Sequence, residues 1–251
     1  MLSILLPVAR RSTPETAQLV WNDLRVALAA ISAYAPEADV VVGWNGAEEP
    51  RDLPKNPNVR LIPQPEGITT ASEAWNFCAS QTDAEELLVT GDDVVFHPET
   101  VRLLLEDVAF IRENLKDRKI GFVGARSNYV KGAQNIRAAN GGQLAPSMLA
   151  YDSEQTIVAA PMVVPIASWI EHATFDLVGG FPNTNWFGDD LICWDLVRQD
   201  HMHFVSRAYV HHVGERSTGQ GESWAKLLEE GLAWLSEHRP DFHAVLTQHS
   251  A

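Results

Sequence analysis

Cysteine is scarce in this chain: Cys78 and Cys193 are its two thiols among 251 residues. Two thiols make neither a disulfide framework nor a cysteine-rich zinc site, so a reducing compartment is the expectation. Basic residues are also in short supply. Lys and Arg number 19 against 33 Asp and Glu, a net charge of −14. That balance counts against general binding to nucleic-acid backbone and against a polybasic membrane attachment. Long apolar runs are missing as well. Leu2 to Val8 is short and interrupted by Pro7, and the longest run, Ile157 to Ile170, carries Pro161, Pro165 and Ser168. Neither reads as a signal peptide or approaches the roughly 18 apolar residues of a membrane span. The expectation is a cytoplasmic chain with no transmembrane segment. The phosphate-loop pattern, the dinucleotide fingerprint, the nucleophile elbow and H-E-x-x-H are all absent. Their absence weighs against the common nucleotide hydrolases, dehydrogenases, esterases and metalloproteases.

What is present is a regular alternation of apolar runs and amphipathic stretches. Leu2 to Val8, Ala38 to Val42, Asn58 to Ile62, Glu86 to Thr90 and Ile120 to Gly124 read as short strands buried on both faces. Thr13, Pro14 and Glu15 supply a cap, a first-turn proline and an early acid for a helix running to Tyr34. Thr70 to Ser80 and Pro98 to Asn114 read as further helices. This order predicts βαβ units on a mostly parallel sheet flanked by helices, with ligands beyond the carboxyl ends of the strands. After Gly124 the pattern changes. Asn128 to Ser153 reads as a long loop, Ile157 to Ile170 as strand, Ile192 to Arg198 as a short helix and His203 to His212 as a strand. Ser223 to His238 is a closing helix with a stripe of Trp224, Leu227, Leu228, Leu232 and Leu235. With no clean linker, one domain is expected, 1–251, with a first half at 1–125 and a second at 126–251.

Three clusters could carry chemistry. Asp92 and Asp93 follow a predicted strand directly, and paired carboxylates on a turn attract a hard divalent cation; a polar turn before Pro98 is the alternative. Asp189 and Asp190 follow Gly188 among Trp186, Phe187 and Trp194. Aromatic walls desolvate a carboxylate and suit a general base; capping of a helix N-terminus is the alternative. His211 and His212 end a predicted strand, where successive side chains take opposite faces, so at most one faces a given site. His201 and His203 read as surface or packing residues.

The order of these segments resembles that of family 2 glycosyltransferases, which have the GT-A fold. Ser3 to Val8 resembles their opening strand, and Val40 to Gly46 their second strand with its Asp-Asn-Gly ending. Glu66 to Ala71, continuing to Ala74-Trp75-Asn76, resembles their helix entry. Leu87 to Pro98 resembles the D-x-D segment. Val178-Gly179-Gly180-Phe181, then Gly188-Asp189-Asp190 and Arg198, resembles the Gly-Gly-Phe and acidic-pair stretch, and Val210 to Ser217 the His-x-x-Gly ending. The likeness spans roughly the first 220 residues, in order.

The resemblance implies an inverting transfer of sugar from a nucleotide-sugar donor (UDP, GDP or dTDP) to an acceptor. Asp93 would bind Mn²⁺ or Mg²⁺ bridging the donor diphosphate, with Asp92 beside it near ribose or metal. Asp190 would be the general base and Asp189 its acidic neighbour. His212, or else His211, would be a further metal or diphosphate contact. Pro7, Val8 and Asn45 would line the base and ribose pocket, and Gly67 and Asn76 would shape its floor. Two positions depart from the pattern: Gly91 replaces the first acid of D-x-D, and Trp44 stands where an Asp usually reads the base, so Trp44 could stack on the base instead. Lipid, glycan, protein, small molecule and modified nucleic-acid base are all open as acceptor, with Asn128 to Ser153 and Gly214 to Glu222 bordering its pocket by analogy. Rival readings are a retaining GT-A enzyme, a nucleotidyltransferase (against which stands the glycine-free Val8 to Ser12), and a non-catalytic carbohydrate- or protein-binding module.

Overall fold

The computed structural model describes residues 1–8, 14–45, 52–136, 156–213 and 224–248. Thr13, Gly46, most of the expected loop up to Ser153 and the tail Gly214 to Glu222 lie outside them. The chain runs β1 (Leu2–Pro7), α1 (Pro14–Tyr34), β2 (Asp39–Trp44), β3 (Val59–Pro63), α2 (Ala71–Ala79), β4 (Glu86–Val89), β5 (Val94–Phe96), α3 (Thr100–Asn114) and β6 (Lys119–Ser127). A 3₁₀ turn, Gly132–Gln134, follows. Then come β7 (Val158–Ala160), β8 (Ser168–Glu171), α4 (His172–Leu177), α5 (Gly188–Val197), β9 (His201–His212), α6 (Trp224–His238) and α7 (Pro240–Gln248).

The strands form one nine-stranded sheet in the order β3-β2-β1-β4-β8-β6-β9-β5, with β7 also on β9. β1 to β4, β6 and β9 all point one way, while β5, β7 and β8 run against them. The sheet is thus mostly parallel, as the sequence predicts. β8 comes late in the chain yet lies between β4 and β6.

The apolar strands are continuous because both faces are covered. Along β1, Ile4 and Leu6 join the core beneath α1 and α3, while Leu5 joins the opposite core of α2 and α5. Val40 and Val42 against Val41, and Leu88 against Leu87 and Val89, divide in the same way. Period-two side chains on a doubly covered sheet make every position apolar.

Several boundaries differ from the sequence reading. Ile157 to Ile170 is two short strands rather than one, since Pro161 and Pro165 cannot supply ladder donors. β6 runs on to Ser127, and Val94 to Phe96, to which the sequence assigns no element, form β5. The closing helix is followed by α7. Of its expected stripe, Leu235 is fully buried, whereas Leu228 is exposed. A third small core collects Leu191, Leu235 and Phe242 and seats these two helices on α5.

Candidate functional site

Because β1, β2, β4, β6 and β9 share a direction, their carboxyl ends open on one edge of the sheet. Pro7 and Val8, Asn45, Gly91 to Asp93, the stretch after Ser127, and His212 all lie at those ends. Asp92 and Asp93 form the turn between β4 and β5, and both are buried. Gly91 suits this turn: a Cβ there would come within 3.2 Å of Asp93 Oδ1. The acid that the resemblance leads one to expect at this position would crowd the acid that follows.

β5 exists to hold this turn against β9. Val94 pairs with His212, and the Val213 N–H donates to the Asp93 carbonyl at 3.0 Å. The register brings His212 Nε2 to 3.3 Å from Asp93 Oδ2. That oxygen is buried and, among the described residues, has no hydrogen bond of good geometry. His212 Nδ1 sits 2.6 Å from the Tyr129 carbonyl, so Nδ1 carries a proton and Nε2 is the atom turned to the carboxylate. Burial disfavours the imidazolium, but Asp93, helped by the Tyr129 carbonyl and Asp92, outweighs burial and raises the His212 pKa. A buried carboxylate oxygen without a good donor, facing an imidazole whose other nitrogen is fixed by a carbonyl, has the donor chemistry of a divalent-cation half-site. Among the described residues no group of three or more His, Cys, Asp or Glu surrounds one point, so protein side chains alone do not complete a cage.

His211, next in line, is in register with Val95. His201 and His203 are buried packing residues at the far end of β9. His203 accepts the Phe122 N–H at Nδ1 (2.9 Å), faces the Cys193 carbonyl with Nε2 (3.1 Å), and stacks on Phe122.

The second acidic pair begins α5. Asp189 and Asp190 stand in its first turn, and Lys131, which the sequence reading does not single out, reaches both. Its Nζ is 2.6 Å from Asp190 Oδ2 and 3.1 Å from Asp189 Oδ2. Burial, then the neighbouring Asp189 charge, raises the Asp190 pKa, and Lys131 pulls it back. Trp194 and Phe187 belong to the small core around Phe242.

The start of α5 is positioned from two sides. Gly188 touches α2: a Cβ there would lie 2.5 Å from Ser72 Oγ. α2 itself begins with a capping box, in which Thr70 accepts the Glu73 N–H and Glu73 accepts the Thr70 N–H. Glu73 also accepts from Asn183 Nδ2 at 2.6 Å, tying the loop before α5 to α2. On the other side Phe187 holds a left-handed backbone, φ 66°, and its ring lies against Gly231 of α6.

The remaining candidates separate by role. Asn76 exchanges two hydrogen bonds with the Phe181 backbone, 2.8 and 2.9 Å, and so clamps the Gly180-Phe181 turn. Gly67 has φ 104°, a conformation that favours glycine. Pro7 and Val8 are buried, with Val8 in the α1-side core, and Asn45 is half-buried. Trp44 is not available for base stacking: it is 7% exposed and packs on Trp21 beneath α1. Like Lys131, Asn128 and Tyr129 enter the sequence reading only as part of the loop bordering the acceptor pocket, with no role of their own. Asn128 accepts the His212 N–H (2.8 Å) and donates to its carbonyl (3.0 Å). The one signal for all three residues is their place just beyond the carboxyl end of β6.

The sequence matches no protein-family model and no curated protein. Among solved structures, the chain resembles the crystal structure of residues 1–349 of S. aureus TarS in complex with UDP-GlcNAc. The TM-score is 0.57 at 15% sequence identity, over 94% of this chain. The chain spans 66% of that structure's length. At this identity the likeness establishes a shared fold. Among the described residues no helix is long and apolar enough to cross a membrane.

Proposed function

We propose that this chain is an inverting glycosyltransferase of the GT-A type, moving a sugar from a nucleoside-diphosphate sugar to an acceptor hydroxyl. One observation supports the reading above the others. The stretch 128–131 joins the two acidic centres: Asn128 and Tyr129 hold His212 against Asp93, and Lys131 holds Asp189 and Asp190. A cation-binding half-site and a candidate base thus share one strand-end edge, where a nucleotide-sugar bound to this fold would have its reacting carbon between them. The UDP-GlcNAc in the TarS complex supports a nucleotide-sugar as the donor class.

Asp93 Oδ2 and His212 Nε2 would hold the divalent cation, with Asp92 beside them. A mixed carboxylate and imidazole set suits Mn²⁺ better than the oxygen-seeking Mg²⁺. When bound, the cation neutralises charge gathering on the departing diphosphate. The protein's own residues do the rest. Tyr129 and Asn128 fix the His212 ring. Asp190, half-withdrawn from water and with a raised pKa, takes the proton of the acceptor hydroxyl. A single base opposite the leaving group gives inversion at the sugar carbon.

Calorimetric titration with UDP, GDP, dTDP and CDP, each with and without Mn²⁺, tests the donor half. Mn²⁺-dependent binding of one diphosphate is expected and names the donor. Asp190→Asn tests the base: donor binding is retained and transfer falls by about 10²-fold or more. Normal transfer by that variant would remove the base assignment. A wild-type protein that binds glycans but no nucleoside diphosphate would be a carbohydrate-binding module.

A further inference from the structure

Lys131 belongs to none of the motifs, yet the fold takes trouble to place it. Asn128 exchanges two hydrogen bonds with the His212 backbone just before it. Just after it, Gly132 turns with φ 72°, and Asn135 Nδ2 donates to the Val130 carbonyl at 2.6 Å. Gln134, buried to 1% exposure, donates to the Ala125 carbonyl (2.9 Å) and accepts the Val164 N–H (2.7 Å). The lysine therefore projects from a turn fixed at both ends, toward a helix start fixed by Ser72 and Phe187.

We propose that Lys131 is a positioning residue: its ammonium group bridges Asp189 and Asp190 and presents Asp190 to the acceptor as a carboxylate. This rests on the reading of Asp190 as the base. Two adjacent carboxylates withdrawn from water repel one another, and one of them takes a proton unless a cation intervenes. A protonated Asp190 cannot accept the acceptor's proton. Among the described residues, Asp189 and Lys131 act on Asp190, and the buried Cys193 thiol three residues along α5 stays neutral. Partial loss of hydration opposes the charge on Lys131, whose side chain is still 49% exposed, but the two acids more than compensate and raise its pKa. Lys131 is thus a cation placed within ion-pair distance of both acids, 2.6 Å from Asp190 and 3.1 Å from Asp189.

The test follows the Asp190 carboxyl directly, by carbon-13 NMR of aspartate-labelled protein, with its signal assigned by loss in Asp190→Asn. In Lys131→Met the Asp190 midpoint moves to higher pH, and in Lys131→Arg it stays near the wild-type value. At neutral pH the kcat of Lys131→Met falls by about tenfold, with the donor KM unchanged, and recovers as pH rises. An unmoved Asp190 midpoint overturns the proposal whatever the activity. A moved midpoint in a protein whose wild type transfers no sugar leaves Lys131 in its role and overturns the glycosyltransferase reading instead. If Lys131→Met does not fold, the wild type still decides: the nitrogen-15 signal of the Lys131 ammonium must shift at the Asp190 midpoint, and a flat signal overturns the proposal.

Discussion

Lowering the pH from 7 to 4 is expected to take about 3 kcal/mol of stability from this fold through one side chain, His203. Its ring is 1% exposed and lies between β6, β9 and α5. Nδ1 accepts the Phe122 N–H, so the buried form is the neutral tautomer with its proton on Nε2, facing the Cys193 carbonyl. Gly121 lies under the ring, where a Cβ would come within 2.6 Å. Burial is the dominant influence and lowers the pKa from 6.5 to about 4. The unfolded chain takes up a proton below about 6.5 that the folded chain refuses until about 4. Stability from this group is therefore fully present above 6.5 and declines as the pH falls from there to 4. At about 1.4 kcal/mol per pH unit over that interval, the loss is about 3 kcal/mol. Urea unfolding at a series of pH values, for wild type and His203→Gln, isolates the effect from that of the carboxylates. The glutamine amide can still accept from Phe122 and donate to Cys193, but does not titrate. The wild-type curve should fall more steeply than the variant's between pH 6.5 and 4. Parallel curves, or an NMR titration placing His203 near 6.5, would refute the argument.

Two further outcomes are expected. Asp93→Ala should abolish the Mn²⁺-dependent part of donor binding in calorimetry while leaving the unfolding midpoint near wild type; binding that still responds to Mn²⁺ would place the cation elsewhere. Asn76→Ala should destabilise the protein by about 1–3 kcal/mol in chemical denaturation, because it strands the Phe181 N–H and carbonyl together; a change under about 0.5 kcal/mol would show that water replaces the amide.

The parallel half of the sheet was legible because its strands are short apolar runs ending at Pro7, Asn45 and the Gly91 turn. The helix entry at Thr70 was legible because capping is local chemistry. β5 was not, since three residues carry no period and Val94 to Phe96 are a strand only because β9 lies beside them. Pro161 and Pro165 are visible in the sequence, and their missing N–H groups are the signal that divides the stretch Ile157 to Ile170 into two strands. At the site, Asp93 and His212 were named from their segments, but their 3.3 Å approach needs the β5–β9 register. Lys131 was hidden for a different reason. A lysine is an ordinary surface residue, and its meaning depends on two carboxylates 58 and 59 positions away. Trp44 was misplaced because a strand-end tryptophan says nothing of which face it takes; here it is the face that α1 covers.

Phe187 has a consequence for the order in which the molecule loses its properties. A non-glycine residue with φ 66° carries local strain of about 1–3 kcal/mol and keeps that geometry only while its surroundings compel it. Much of that compulsion comes from α6, through Gly231 against the aromatic ring. Were α6 to leave its seat, Phe187 would be free to relax toward the right-handed region and the first turn of α5 to re-aim, without any change in the doubly covered sheet. The aim of Asp189 and Asp190 therefore depends on helices outside the sheet: activity resting on that pair is expected to fade at a lower temperature than the far-UV circular dichroism signal, and coincident loss of the two would refute the link.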